Sequence, residues 1–265
     1  MDPGLGVPVW VVVIAGLSLI FVAGPVLALL VRANWRDLPA ALSSPIALQA
    51  LGLTGITSVS STLACVILGV PAALLLSACT PRVASILRAV GLIPLVLPPM
   101  VCGVALLYWL GRRGLAGQVL NLMGISLPFS TVAVVIAQTF VALPFLVVTV
   151  EAALRSTSLD LERVAASLGA SPSRVFWTVT LPTLAPALRG GIVLCFARAV
   201  GEFGATALFA GNLPGRTQTM PLAIYTAFNG GTANQDVAVA LSIVLVFAAV
   251  ILLAASGRMT GRGTA

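Results

Sequence analysis

Apolar residues run along this chain in long, nearly uncharged stretches, not in the one-faced or alternating patterns of a water-soluble domain. A helix needs about 20 apolar residues to cross the hydrocarbon core of a bilayer. Stretches of that order recur at about 8–31, 52–79, 87–110, 129–154, 187–210 and 238–256. They predict an all-α polytopic membrane protein of about six transmembrane helices, built as a single domain over residues 1–265. The second and third stretches are separated only by the short connection Thr80–Arg88. The first follows Met1-Asp2-Pro3-Gly4, which carries no positive charge, and exceeds the apolar part of a secretion signal, so it is predicted to be a retained span. No internal repeat is visible, which points away from a carrier built of inverted halves.

Composition narrows the chemistry. Of 265 residues 59% are hydrophobic and 8% charged, and the mean hydropathy is +1.12. All 14 basic residues are arginine, against 7 acids, giving a net charge of +7 with no histidine. Without lysine there is no phosphate-gripping loop of the G-x-x-x-x-G-K type and no Schiff base. Without histidine there is no imidazole base and no H-E-x-x-H metal site. No catalytic or metal-binding residue is therefore predicted, and any ATP-driven work falls to another polypeptide. Cys65, Cys79, Cys102 and Cys195 sit in or beside apolar runs with no C-x-x-C spacing, which predicts buried small residues. The arginines are dispersed and lack interleaved aromatics, so nucleic acid is not a predicted partner.

The arginines instead orient the spans. With both termini cytoplasmic, the inner segments hold Arg82, Arg88, Arg155, Arg163, Arg174, Arg189, Arg258 and Arg262, and the outer loops Arg32, Arg36, Arg112, Arg113 and Arg216. That bias follows the positive-inside rule and predicts cytoplasmic termini.

The longest inner connection, residues 156–186, has the most detailed pattern. Leu159–Leu168 reads as a short amphipathic helix, Gly169 as its left-handed stop, and Ser171-Pro172 as the start of another helix that Leu181-Pro182 closes. Such a helix–glycine–helix unit suits either a rigid knob for a partner protein or a connector lying on the lipid surface. The stretch Glu162-Arg163-Val164-Ala165-Ala166-Ser167-Leu168-Gly169-Ala170, then Val179-Thr180-Leu181-Pro182, resembles the EAA loop of ABC-importer permeases. Nine residues separate Gly169 from Val179 as in that motif, while the glutamate is displaced by one position to Glu162. The resemblance implies a type I ABC importer permease fold. It also implies that Glu162, Arg163, Val164, Ala165, Ala166, Leu168, Gly169, Ala170 and Arg174 dock onto a cytoplasmic ATPase that carries the ATP and magnesium.

The fifth stretch carries Arg198 and Glu202, which share a helical face at i, i+4. A charge at mid-bilayer costs at least about 2.5–3.5 kcal/mol and so faces protein or water. The pair fits a neutralised structural contact and also a gate or path lining that meets an anion. Glycines flank Glu202 in Gly201-Glu202-Phe203-Gly204-Ala205-Thr206. With Asn212-Leu213-Pro214-Gly215-Arg216-Thr217 beyond it, this segment resembles molybdate permeases and the related sulfate/thiosulfate and tungstate permeases. The segments around Leu97-Pro98-Pro99 and Gln138-Thr139-Phe140 resemble the same group. That likeness implies an inner-membrane homodimer importing an oxyanion, with two ATPase subunits and an extracytoplasmic binding protein. It further implies a path past Arg198, Gly201, Glu202, Gly204 and Thr206.

Thr54, Thr57, Ser58 and Ser61 share one face of the second stretch. Their hydroxyls either line that path or bond back to their own helix. Pro94, Pro98 and Pro99 interrupt the third stretch, as at moving or cavity-lining positions and as in static bundles.

Overall fold

The computed structural model describes residues 8–157, 160–230 and 235–260, without the side chains of residue 253 and residues 255–260. Leu159 and Arg262, and the side chain of Arg258, lie outside the described residues. In chain order the helices are α1 (Val9–Arg32), α2 (Leu38–Leu42), α3 (Pro45–Ala78), α4 (Pro81–Gly91), α5 (Ile93–Val96), α6 (Pro99–Leu110), α7 (Gly117–Leu122), α8 (Thr131–Ser156), α9 (Asp160–Ser167) and α10 (Pro172–Val175). A π-helical segment, Phe176–Thr180, leads into α11 (Leu181–Val200), followed by α12 (Gly204–Phe209), α13 (Met220–Phe228) and α14 (Gln235–Thr260). Among the described residues there is no strand.

Five helical segments are long and apolar enough to cross a membrane: α1, α3, α8, Pro172–Val200 and α14 from Gln235 to Leu252. The third predicted span, 87–110, is not one helix. Arg88 lies in α4, Pro94 in the four-residue α5, and Pro98 caps the 12-residue α6. Each proline removes a backbone donor and disfavours helix at the residue before it. Hydropathy stays high through these breaks, which is why the stretch reads as continuous. At about 1.5 Å per residue α6 extends only about 18 Å, short of the roughly 30 Å core.

The predicted fifth span, 187–210, is likewise corrected. It begins earlier and ends at Val200, with Gly201 as C-cap, before the chain restarts as α12. Nor does Leu181-Pro182 terminate the preceding helix. The Leu181 N–H reaches back five residues to the Phe176 carbonyl, and the chain continues helically into α11 with Pro182 in the first turn of that helix.

Small side chains let the central helices approach closely, as expected where lipid supplies no hydrophobic contrast between helices. α3 and α8 run parallel: the Cys65 thiol lies 3.7 Å from the Thr139 carbonyl, and Gly69 packs against Leu146. α11 runs antiparallel to α8, with Gly191 on Leu146 and the Cys195 thiol donating to the Ala142 carbonyl at 3.1 Å. Cys65, Cys102 and Cys195 are buried and Cys79 half-buried, all unbridged. α1 stands apart with no buried residue, touching mainly α14.

The bundle thus has two ends. At the lower end the C-terminal turns of α3 and α8 meet α9 and α10 around a cleft of about 780 Å³. At the upper end the loop between α12 and α13 caps the starts of α3 and α8: Thr131 donates to the Arg216 carbonyl, and Gly215 sits against Gln49.

Candidate functional site

The lower site is built from the turn chemistry of residues 160–182. Gly169 has φ +85°, and the Ala170 and Gly169 N–H groups bond to the carbonyls of Ala165 and Ala166, closing a Schellman cap on α9. Space around Gly169 is open, so conformation and not crowding calls for glycine. Ser171 caps α10 by accepting from the Arg174 N–H at 3.4 Å, with Pro172 following. A rigid two-helix knob results.

Among the described residues, one side-chain bond ties the knob to the bundle. Thr180, buried in the π-helical segment, donates to Glu162 Oε1 at 2.5 Å. Glu162 is therefore half-buried and turned inward, toward the root of α11. Ala165 and Ala170 are half-buried with it. Arg163, Val164, Ala166, Leu168, Gly169 and Arg174 are exposed on the knob, with Leu168 at 83%. Leu161, Val164 and Leu168 form an exposed apolar stripe at i, i+3 and i+7.

The upper site lies where α11 ends. Arg198 and Glu202 do pair, Nη1 to Oε2 at 2.6 Å, although the helix stops between them at Gly201. The other carboxylate oxygen accepts the Ala205 N–H at 2.8 Å, so one buried acid joins the end of α11 to the start of α12. Glu202 is 0% exposed, whereas the Arg198 side chain is 24% exposed and Gly201 is open to the surface. The glycines differ in purpose. A Cβ on Gly204 would meet Pro99 Cβ at 2.9 Å, and one on Gly103 the Ala205 carbonyl oxygen at 2.9 Å, so α6 and α12 touch backbone to backbone. A Cβ on Gly201 would make only ordinary contact.

Thr57, Ser58, Ser61 and Thr206 are fully buried within the bundle. Thr57 donates to the Leu53 carbonyl and Ser61 to that of Ser58, the back-bonding alternative. Gln138 is fully buried too, and carrying the α8–α11 register one turn beyond Cys195–Ala142 sets Ala199 at its level.

Sequence reasoning missed Thr54 as an anchor. Its hydroxyl donates to the Ala50 carbonyl and accepts the Met220 N–H at 2.8 Å, capping α13 from another helix. The segment Asn212–Gln218 is a compact loop: the Arg216, Thr217 and Gln218 N–H groups converge on the Leu213 carbonyl, and Thr217 Oγ1 accepts the Leu213 N–H. Among the described residues no cluster of three or more potential metal ligands occurs.

A bundle of apolar spans carrying a two-helix knob at one end and a partly buried ion pair toward the other is a polytopic membrane architecture, and the family it matches is one of transport subunits. The chain belongs to the family described as "Binding-protein-dependent transport system inner membrane component", whose model matches residues 65–259. It is 47% identical over 264 residues to the molybdenum transport system permease protein ModB of Mycobacterium tuberculosis, covering 100% of this chain and 99% of that protein. Escherichia coli K12 ModB is 40% identical over 187 residues, covering 69% of this chain and 82% of that protein. In fold it is similar to a bacterial ABC transporter involved in alginate import, with TM-score 0.70 at 18% identity over 97% of this chain and 96% of the other. Likeness to the MetNI methionine ABC transporter in an inward-facing conformation gives TM-score 0.59 at 20% identity over 91% of this chain and 99% of the other.

Proposed function

We propose that this chain is the permease of an ATP-driven importer whose cargo is molybdate. It works as a homodimer with two ATPase subunits and an extracytoplasmic oxyanion-binding protein, and its lower end and termini are cytoplasmic. The observation that carries the cargo is the 47% identity to the mycobacterial molybdenum permease along the whole chain. The coupling role is supported by the Gly169-capped knob, whose exposed Leu161, Val164 and Leu168 offer an apolar stripe to a groove on the ATPase.

Glu162 has a different role from the other loop residues in this reading. It holds the knob to Thr180, and Thr180 lies in the same continuous helical run as Arg198. Closure of the ATPase dimer draws the two knobs together, and each carries its own α11 with it. The displacement reaches the top of α11, about 30 Å away at 1.5 Å per residue. There the partly exposed Arg198 meets the anion as it passes between the two protomers, while Glu202, fully enclosed, keeps Arg198 in place. Thr57, Ser58, Ser61, Gly204 and Thr206 shape the wall from behind. ATP and magnesium belong to the partner subunit, and this chain supplies no step of hydrolysis.

The test is ATP-dependent uptake of labelled molybdate by proteoliposomes holding the whole complex, with tungstate and sulfate as competitors. Uptake that needs both ATP and the binding protein is expected. Uptake driven by an ion gradient without ATPase would overturn the importer reading, and preferential uptake of sulfate would overturn the cargo.

A further inference from the structure

α4 divides into three sectors at about 100° per residue. Val83, Ile86, Leu87 and Val90 occupy one, and all four are exposed, Ile86 at 66% and Val90 at 60%. Ala84 and Arg88 occupy the next and turn to the bundle: Ala84 is buried, and Arg88 grips Glu151 of α8 with two bonds, Nε to Oε2 at 3.0 Å and Nη2 to Oε1 at 2.5 Å. Arg82, Ser85 and Ala89 occupy the third, exposed and polar or small. A helix meant for water would not expose four large aliphatics on one side. A helix that spans would not carry two arginines within its 11 residues. The position fits neither, because α4 joins the lower end of α3 to the broken stretch α5–α6.

Charge then selects the lipid. α4 contains no acid, and Glu151 is shared between Arg88 and Arg155, the latter at 3.0 Å. Arg82 adds a further cation, so this corner is net positive beside an apolar stripe. The adjoining knob carries Asp160 and Glu162 against Arg163 and Arg174, so it leaves that balance positive.

From these observations we infer that α4 lies in the plane of the inner leaflet as a binding surface for anionic phospholipid. Acyl chains cover Val83, Ile86, Leu87 and Val90, and anionic headgroups are drawn by Arg82 on one flank of that stripe and by Arg155, beside the Arg88–Glu151 pair, on the other. The bidentate Arg88–Glu151 bond fixes the helix against the base of α8, so the lipid sits close to the root of the knob. The inference rests on the reading of the lower end as cytoplasmic, and it adds a lipid requirement to the importer.

The test uses the complete importer in vesicles, with spin labels placed singly at Ser85→Cys, Ile86→Cys, Ala89→Cys and Val90→Cys in a Cys79→Ser background, the other cysteines being buried. Labels at 86 and 90 are expected to collide with dissolved oxygen, and those at 85 and 89 with a water-soluble nickel chelate. Complex extracted from vesicles of mixed phosphatidylcholine and phosphatidylglycerol is weighed intact by mass spectrometry. It should retain phosphatidylglycerol preferentially, and the preference should fall about fivefold for each of Arg82→Gln and Arg155→Gln. Inorganic phosphate in the buffer should not erase it. Equal water access at all four positions would overturn the inference. So would spin–spin broadening at 86 and 90, which marks contact between two copies of the chain, or full displacement of the lipid by inorganic phosphate. Failure of ATP-driven uptake in every lipid would sink the importer reading instead, and would leave the label pattern to judge α4 separately.

Discussion

The top of α11 offers the sharpest perturbation, Glu202→Gln. The substitution keeps an oxygen for the Ala205 N–H but removes the charge that faces Arg198 at 2.6 Å. Stranding one member of a buried ion pair costs about 3–5 kcal/mol. Arg198 keeps 24% of its side-chain surface open, so part of that penalty is relieved and about 2 kcal/mol remains. For a chain of this size that lowers the melting temperature by about 4–8 °C. The companion is the double variant Arg198→Met, Glu202→Gln, which replaces the pair with uncharged groups of similar volume. Since such replacements are often neutral, the double variant should melt near the parent. Melting of the detergent-solubilised complex gives the structural half of the answer, and molybdate uptake in proteoliposomes gives the functional half. If Arg198 meets the anion, the double variant is stable yet takes up molybdate about tenfold more slowly, the loss of one charge-assisted contact worth about 1.4 kcal/mol. A stable double variant with parental uptake would refute a role for Arg198 in the path. Unchanged melting of Glu202→Gln alone would refute the energetics assigned to the pair.

Four further outcomes are expected. Thr180→Val removes the donor to Glu162, and uptake should fall while ATP hydrolysis by the complex continues; parallel loss of both would show that the bond serves assembly instead. Gly169→Ala forces a Cβ into left-handed backbone at about 1–2 kcal/mol and should weaken co-purification of the ATPase, whereas Ser167→Ala on the same knob should not. Gly103→Ala drives a methyl against the Ala205 carbonyl and should destabilise by about 1–3 kcal/mol, while Gly201→Ala, which meets only the Ala197 carbonyl oxygen at 3.6 Å, should be nearly silent in melting. Thr54→Val leaves the buried Met220 N–H without its acceptor at about 1–3 kcal/mol, and faster proteolysis of the Asn212–Gln218 loop should report it.

Much of this site is legible in the residues because its spacing is local. Arg198 and Glu202 lie four apart, and Gly169 and Ser171-Pro172 announce caps that need only neighbouring backbone. Hydropathy, by contrast, cannot register a break that stays apolar. The prolines at 94, 98 and 99 were visible, yet the division of that stretch into α4, α5 and α6 depends on where each missing donor falls. Contacts between distant segments leave no periodic trace: Thr54 and Met220 are separated by 166 positions, and the inward turn of Glu162 depends on Thr180, 18 positions on. The hydroxyl stripe of α3 shows the same limit, since its period reveals a shared face but not that the face is buried in the bundle.

The π-helical segment carries a consequence of its own. One residue more than an α-turn requires is stored between the knob and α11, and each residue of helix corresponds to about 100° of rotation. Phe176–Thr180 therefore sets the angular phase between the stripe shown to the ATPase and the face on which Arg198 stands, as a key sets a pulley on its shaft. Winding that segment into regular α-helix with no residue removed would leave every side chain of the knob and of α11 intact while turning one against the other by about 100°. A subunit altered in that way could still bind its ATPase and still hold its ion pair, with the stroke of one delivered to the wrong side of the other.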